Sequence, residues 1–167
     1  MIENRVAKSS LVDFHLEDYY DKTPRIVYDI KENLFQGFVL KEKEFRAFLK
    51  KNDWSEFEGR NVAITCSTDA IVPTWAYMLL VAKLQPYAKN IVFGSLLELE
   101  NILFQKALAN VPLQEYENKK VVVKGCGQLP VPTSAYVEIS RLLLPVVSSL
   151  MFGEACSTVP IYKKPKQ

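Results

Sequence analysis

A chain of 167 residues with 49% hydrophobic and 24% charged residues has the composition of an ordinary globular domain, which excludes a disordered or fibrous protein. Its 21 basic and 19 acidic residues are interspersed along most of the chain and give a net charge of +2, so we expect no nucleic-acid partner. No apolar run approaches the roughly 20 residues of a membrane-spanning helix, and the first residues lack a secretory-signal pattern. We therefore expect a cytoplasmic protein with reduced thiols and no membrane partner.

The first 60 residues predict an α+β extension. Strand-like patterns cover Leu11–Leu16 and Arg25–Ile30, and an amphipathic helix is predicted over Lys41–Lys51. We expect this extension to pack on a core formed by residues 61–160, within a single domain that ends in a tail at 161–167.

From Asn61 onward, strand patterns alternate with helix patterns. The predicted strands are Val62–Thr65, Ile91–Phe93, Val121–Lys124 and Leu150–Phe152. The predicted helices are Pro73–Tyr87, Leu96–Ala109 and Thr133–Val147. Because a helix crosses over between consecutive strands, the strands should run parallel and be covered on both faces. The predicted fold class is α/β, with a three-layer open sheet of mainly parallel strands built from βαβ units.

An internal repeat appears when the chain is shifted by 59 residues. Val72–Tyr77 matches Val131–Tyr136, and Phe93–Gly94 matches Phe152–Gly153. Both copies have the order strand, loop, helix, strand. Duplication explains this, but so does convergence of two βαβ units on Pro at a helix start and Gly after a strand. The repeat supports the fold and indicates no activity.

Three cysteines each follow a predicted strand. Two of them open the same tripeptide, Cys-Ser-Thr, and the third lies between two glycines. Since α/β proteins bind ligands at the carboxyl ends of their strands, we expect the thiols to form one site there. Three thiolates with one further ligand are typical of structural zinc sites and of iron–sulfur clusters. The predicted metal ligands are Cys66, Cys126 and Cys156, with Asp69, His15 or Glu154 for the remaining position.

The neighbours of the cysteines are candidates for contact with a cofactor. The two glycines allow close backbone approach, and the hydroxyl residues can donate hydrogen bonds. The predicted cofactor-binding residues are Ser67, Thr68, Gly125, Gly127, Ser157 and Thr158. Zinc and an iron–sulfur cluster are both compatible with this set, and the sequence does not choose between them.

Two alternatives remain. The first is a thiol enzyme or sulfur carrier in which Cys66 is the nucleophile, Asp69 lies nearby, and Ser67 or Thr68 donates a hydrogen bond. The second is a homodimeric interaction protein with inert core cysteines, because free cysteine is often buried and the helix Pro73–Tyr87 is apolar on most of its surface. The sequence does not decide whether the protein is an enzyme.

Three stretches, Thr65–Met78, Lys124–Cys126 and Gly153–Pro160, resemble a family of uncharacterised bacterial proteins. It is a domain-of-unknown-function family typical of Bacteroidetes, and the resemblance covers the whole chain. Genes of its members often neighbour iron–sulfur cluster assembly genes. The resemblance therefore implies an accessory role in that pathway, with assembly proteins as partners, and it places the family's aspartate at Asp69.

Overall fold

The structure is a computed structural model that describes residues 11–125, 127–154 and 157–167, with the side chain of residue 154 left out. The strands are β1 (Leu11–Phe14), β2 (Arg25–Asp29), β3 (Asn61–Thr65), β4 (Asn90–Phe93), β5 (Lys120–Val123), β6 (Ser149–Glu154) and β7 (Ser157–Lys163). The α-helices are α1 (Glu42–Lys51), α2 (Thr74–Leu84), α3 (Leu96–Leu108) and α4 (Thr133–Leu143). The α/β class with mainly parallel strands is confirmed.

The strands lie in two sheets, where the sequence predicts one. The first sheet has the order β2-β3-β4, with all strands parallel. The second has the order β1-β5-β6-β7, and only β7 runs antiparallel to its neighbour. The residues group into two compact units. Among the described residues, unit 1 contains those up to Asp21 and from Leu103 onward, and unit 2 contains Lys22–Ile102. The predicted N-terminal extension thus supplies one edge strand to each sheet, and the single-domain organisation stays a prediction.

Unit 2 is built around β3, whose residues Val62 and Ala63 are fully buried. The helix predicted over Lys41–Lys51 is confirmed by α1, which packs its apolar side into this core. The core cluster consists of Ile30, Phe45, Leu49, Trp54, Phe57, Val62, Ile64, Ala76, Leu80 and Leu84. Outside the cluster, Arg25 of β2 makes a two-point ion pair with Glu100 of α3, with N···O distances of 2.5 and 3.0 Å.

Unit 1 is built in the same way around β5. The core cluster consists of Phe14, Leu16, Phe104, Leu108, Val111, Val121, Val123, Ala135, Ile139, Leu143, Val147 and Leu150. The sequence patterns missed β7, because Pro160 lies in its middle and proline argues against a strand assignment. An edge strand tolerates proline, and β7 is such a strand. Part of the predicted C-terminal tail therefore belongs to the sheet.

The internal repeat of the sequence is also present in the structure, in its strand pairing and its ring contacts. The cross-strand pair Asn61–Asn90 of unit 2 recurs 59 residues later as Lys120–Ser149 of unit 1. Each unit also contains an edge-to-face ring pair between its repeat helix and the following strand, Tyr77–Phe93 at 5.2 Å and Tyr136–Phe152 at 5.9 Å. Glycine with positive φ follows both phenylalanines, as the sharp change of direction there requires.

A capping box begins α3. Ser95 donates its backbone N–H to the Glu98 carboxylate at 2.5 Å, and the Glu98 backbone N–H approaches the Ser95 hydroxyl oxygen at 3.4 Å. None of the described helices combines the length and the apolar character that a bilayer-crossing helix needs.

Candidate functional site

Cys66 lies directly after β3, at the carboxyl end of the central strand of the first sheet. Its thiol is free of disulfide bonding and half-buried. Sγ donates a hydrogen bond to the backbone carbonyl oxygen of Thr68 at 3.4 Å. The sequence predicted a hydrogen bond from Ser67 or Thr68 to the thiol, but in the observed contact the cysteine is the donor.

Asp29 holds the loop that carries Cys66. It ends β2, opposite Thr65 in the register with β3, so its side chain is at the same edge of the sheet. Its Oδ1 accepts backbone N–H groups from Ser67 at 3.1 Å and from Lys31 at 3.0 Å. Sequence reasoning missed Asp29, although a signal was present, because an acidic residue near the end of the predicted strand Arg25–Ile30 is placed at the binding edge.

Electrostatics link Asp29, Cys66 and Tyr77. Partial burial opposes ionisation of Asp29, but hydrogen bonds from Ser67 and Lys31 outweigh it, so the pKa of Asp29 lies below its ordinary value. Burial first, and then repulsion from Cys66 and Asp29, raises the pKa of Tyr77. A thiol, a carboxylate and a phenol thus lie within electrostatic reach of one another at this edge.

Unit 1 has a small cavity of about 130 Å³ at the corresponding edge. It is lined by His15, Leu16, Glu17, Lys124, Gly125, Gly127, Leu129, Val131 and Tyr136. The repeat relates Gly125 to Cys66 and Tyr136 to Tyr77, and His15 directly follows β1 as Asp29 ends β2. The two units therefore place different chemistry at equivalent positions of one scaffold.

The walls of this cavity are held by polar contacts. Glu17 Oε1 accepts the backbone N–H of Leu129 at 2.6 Å, and Lys124 Nζ lies 3.6 Å from Asp13 Oδ2. A Cβ atom on Gly127 would overlap the Glu17 carboxylate, and one on Gly125 would overlap the ring of Phe152. The sequence predicts close approach of a cofactor at both glycines. In the described structure, the groups that approach them are side chains of the protein itself.

A family model described as a protein of unknown function (DUF2480) matches residues 1–164 of the chain. The chain belongs to the DUF2480 family. No curated protein and no solved structure matches it. The resemblance to an uncharacterised family is thus confirmed, whereas the Bacteroidetes origin and the iron–sulfur gene neighbourhood stay predictions.

Several predicted site residues of this DUF2480 protein cannot be placed. Cys126, Cys156 and the side chain of Glu154 lie outside the described residues. Within the residues that are described, no three His, Cys, Asp or Glu side chains come together as a potential metal site. The three-cysteine site stays a prediction, because two of its thiols fall in the undescribed positions.

The remaining predicted residues are described. Asp69 is exposed and lines a shallow groove with Phe38 and Ile71 in unit 2. Ser157 and Thr158 begin β7, where Thr158 pairs with Gly153 in the ladder with β6. The sequence interpretation placed Ser157 and Thr158 in a binding loop, whereas in the structure they lie in a paired strand.

Replacing Asp29 by asparagine should make the stability of the DUF2480 protein to unfolding depend less on pH in the acid range. Because the pKa of Asp29 is depressed on folding, its carboxylate stabilises the fold above the unfolded pKa of about 3.9, and this stabilisation is lost as the pH falls through the lower folded pKa. Urea unfolding midpoints measured from neutral pH into this acid range should therefore fall more steeply for wild type than for Asp29→Asn.

Asp69→Asn is the matched control, because it removes one carboxylate from the loop that Asp29 holds and leaves the hydrogen bonds of Asp29 intact. Identical acid slopes for wild type and Asp29→Asn would contradict the assigned role of Asp29.

Proposed function

We propose that this DUF2480 protein binds a thiophilic metal ion or an iron–sulfur cluster through cysteine thiolates, with Cys66 as the ligand in unit 2. The observation that carries the proposal is the position of Cys66. Its half-buried thiol follows the central strand of a parallel sheet, at the edge where α/β proteins bind ligands.

The surroundings of Cys66 favour a cation. Burial first, and then repulsion from Cys66 and Asp29, raises the pKa of Tyr77, so the Cys66 thiol and the Asp29 carboxylate lie close enough to the phenol for their charges to repel. A bound metal ion relieves such repulsion and stabilises the thiolate that coordinates it. The thiol forms a hydrogen bond with a 3.4 Å donor–acceptor distance, a weak contact that coordination can replace.

Asp29 has a positioning role in this proposal. Its hydrogen bond from Ser67 fixes the residue next to the ligand, as outer hydrogen bonds do in metal sites. Asp69, which the sequence offered as a ligand, and Thr68, offered as a cofactor contact, remain candidates from the same loop.

Cys126 and Cys156 enter the proposal as the further thiolates that the sequence predicts, with Glu154 beside the second. Either zinc or an iron–sulfur cluster accepts such ligands. The accessory role in iron–sulfur assembly, with assembly proteins as partners, rests on the resemblance in sequence alone. The cytoplasmic location stays a prediction from the sequence pattern.

The test is the metal and acid-labile sulfide content of protein purified without air. We expect near-stoichiometric metal in wild type and at least a tenfold loss in Cys66→Ser, because zinc and cluster affinity depends steeply on each thiolate. Cys126→Ser and Cys156→Ser show whether those thiols contribute. Val137→Ala, at an exposed position of α4, is the control for metal that is lost during purification.

Metal-free wild type, or metal content unchanged in all three cysteine variants, would overturn the proposal. Zinc without sulfide would identify an ion site, and iron with sulfide a cluster.

The partial exposure of Cys66 also favours a second candidate, a thiol enzyme or sulfur carrier. In that case Cys66 in metal-free protein should react with iodoacetamide faster than a peptide thiol, as followed residue by residue in mass spectrometry. An equal or slower rate counts against nucleophilic chemistry.

A further inference from the structure

β4 has a hydrogen-bonded strand neighbour on one side only, within the part of the chain that the structure describes. Gly94 donates its N–H to the carbonyl oxygen of Ile64 at 2.9 Å. In a parallel ladder, alternate residues bond to the same neighbour, so the N–H and C=O groups of Ile91 and Phe93 face away from β3. These groups form an open sheet edge.

Unit 1 shows what covers the equivalent edge of the same scaffold. There, β6 corresponds to β4 in the repeat, and β7 pairs with it antiparallel, with Phe152 opposite Val159. Unit 2 has no such strand after β4, because the chain turns at Gly94 directly into α3. The repeat thus indicates an antiparallel strand as the missing neighbour of β4.

The surroundings of this edge are apolar and exposed. Phe93 at the end of β4 is 66% exposed, and Leu97 in the first turn of α3 is 62% exposed. Met78, which follows Tyr77 in α2, is 71% exposed, and the Tyr77 ring contacts Phe93. Natural edge strands are usually protected by charge, proline or a bulge, and Ile91-Val92-Phe93 contains neither charge nor proline. Such surfaces mark interaction sites.

We propose that β4 pairs with β4 of a second copy across a two-fold axis, which joins the two β2-β3-β4 sheets into one. A two-fold axis makes two copies of one strand antiparallel, the same direction in which β7 lies on β6. The interface does not involve Cys66, so it goes beyond the metal-binding proposal and is tested separately.

The charges at the two ends of β4 suit this pairing. Lys89, whose Nζ also donates a hydrogen bond to Thr23 Oγ1 at 2.9 Å, precedes the strand, and Glu98 follows it in the cap of α3. Hydrogen bonds from Ser95 lower the pKa of Glu98, so this carboxylate is charged at neutral pH. A two-fold axis brings Lys89 of each copy toward Glu98 of the other, which is the complementarity that self-recognition needs.

Sedimentation velocity across a range of concentrations tests the dimer. We expect twice the chain mass of 19.1 kDa for wild type. Leu97→Lys should weaken the dimer by roughly tenfold or more, because it replaces an exposed apolar contact by a charge that the pairing would remove from water. Val137→Lys is the matched control, since Val137 is 65% exposed and lies in the repeat unit whose edge is already covered. Phe93→Lys is the second disrupting variant.

Hydrogen exchange identifies the interface. The amides of Ile91 and Phe93 should be protected in the dimer and exchange rapidly in the Leu97→Lys monomer. A monomer at all concentrations, or a dimer that Leu97→Lys and Phe93→Lys leave intact, would overturn the proposal. Protection of both amides in a monomer would also overturn it, because another segment of the same chain would then cover the edge.

Discussion

Truncation of Leu80 in α2 or of Ile139 in α4 to alanine should each lower the free energy of unfolding by about 2–5 kcal/mol. Both side chains are completely buried, and the repeat relates them, so each faces the core of its own unit from the same helix position. The cost has two parts, the lost transfer of apolar atoms from water and the cavity that a close-packed core cannot close. Urea unfolding followed by circular dichroism measures it.

Val137→Ala is the control for these truncations, because its side chain lies on α4 but is exposed, and its cost should stay within about 0.5 kcal/mol. A truncation at Leu80 or Ile139 that costs no more than this control would show that the two helices do not pack on the sheets as described.

Local patterns were sufficient to predict the α/β class and the repeat. Each βαβ unit encodes its strand, helix start and following strand in contiguous sequence, as Pro73 before α2 and Pro132 before α4 illustrate. The division into two sheets was not predictable in this way. It depends on pairing between Leu11 and Lys120, and between Arg25 and Asn61, which no local periodicity encodes.

The candidate site, too, was only partly predictable from local patterns. The position of Cys66 at a strand end was predictable, because it follows from the strand pattern alone. Asp29 was missed because it contacts Ser67 from 38 residues away, and Glu17 contacts Leu129 from 112 residues away. Sequence reasoning chose Asp69 for its closeness along the chain, whereas strand pairing brings Asp29 to the loop.

The repeat explains how one scaffold carries two kinds of edge. Strand and helix positions that pack the core are alike in both units, as with the ring pairs Tyr77–Phe93 and Tyr136–Phe152. The loops after the central strands differ, with a thiol in unit 2 and a small polar cavity in unit 1. Since loops carry function on a rigid scaffold, the difference is where the chemistry of the protein should be sought.

The loop between β5 and α4 provides the last prediction. Gly127→Ala and Glu17→Ala should each lower the free energy of unfolding by about 1.5–3 kcal/mol, because each breaks the same charge-assisted hydrogen bond from Leu129 to Glu17. In the first variant the new methyl group displaces the carboxylate, and in the second the carboxylate is absent.

The double variant, Glu17→Ala with Gly127→Ala, tests whether both single variants lose the same hydrogen bond. Once Glu17 is alanine, the space beside residue 127 is open and the bond is already lost, so the double variant should cost about as much as either single one. Gln128→Ala, at an exposed position of the same loop, should change stability by less than about 0.5 kcal/mol. Additive costs in the double variant would mean that Gly127 is needed for a reason other than the approach of Glu17, and the loop would then be held by its own backbone conformation.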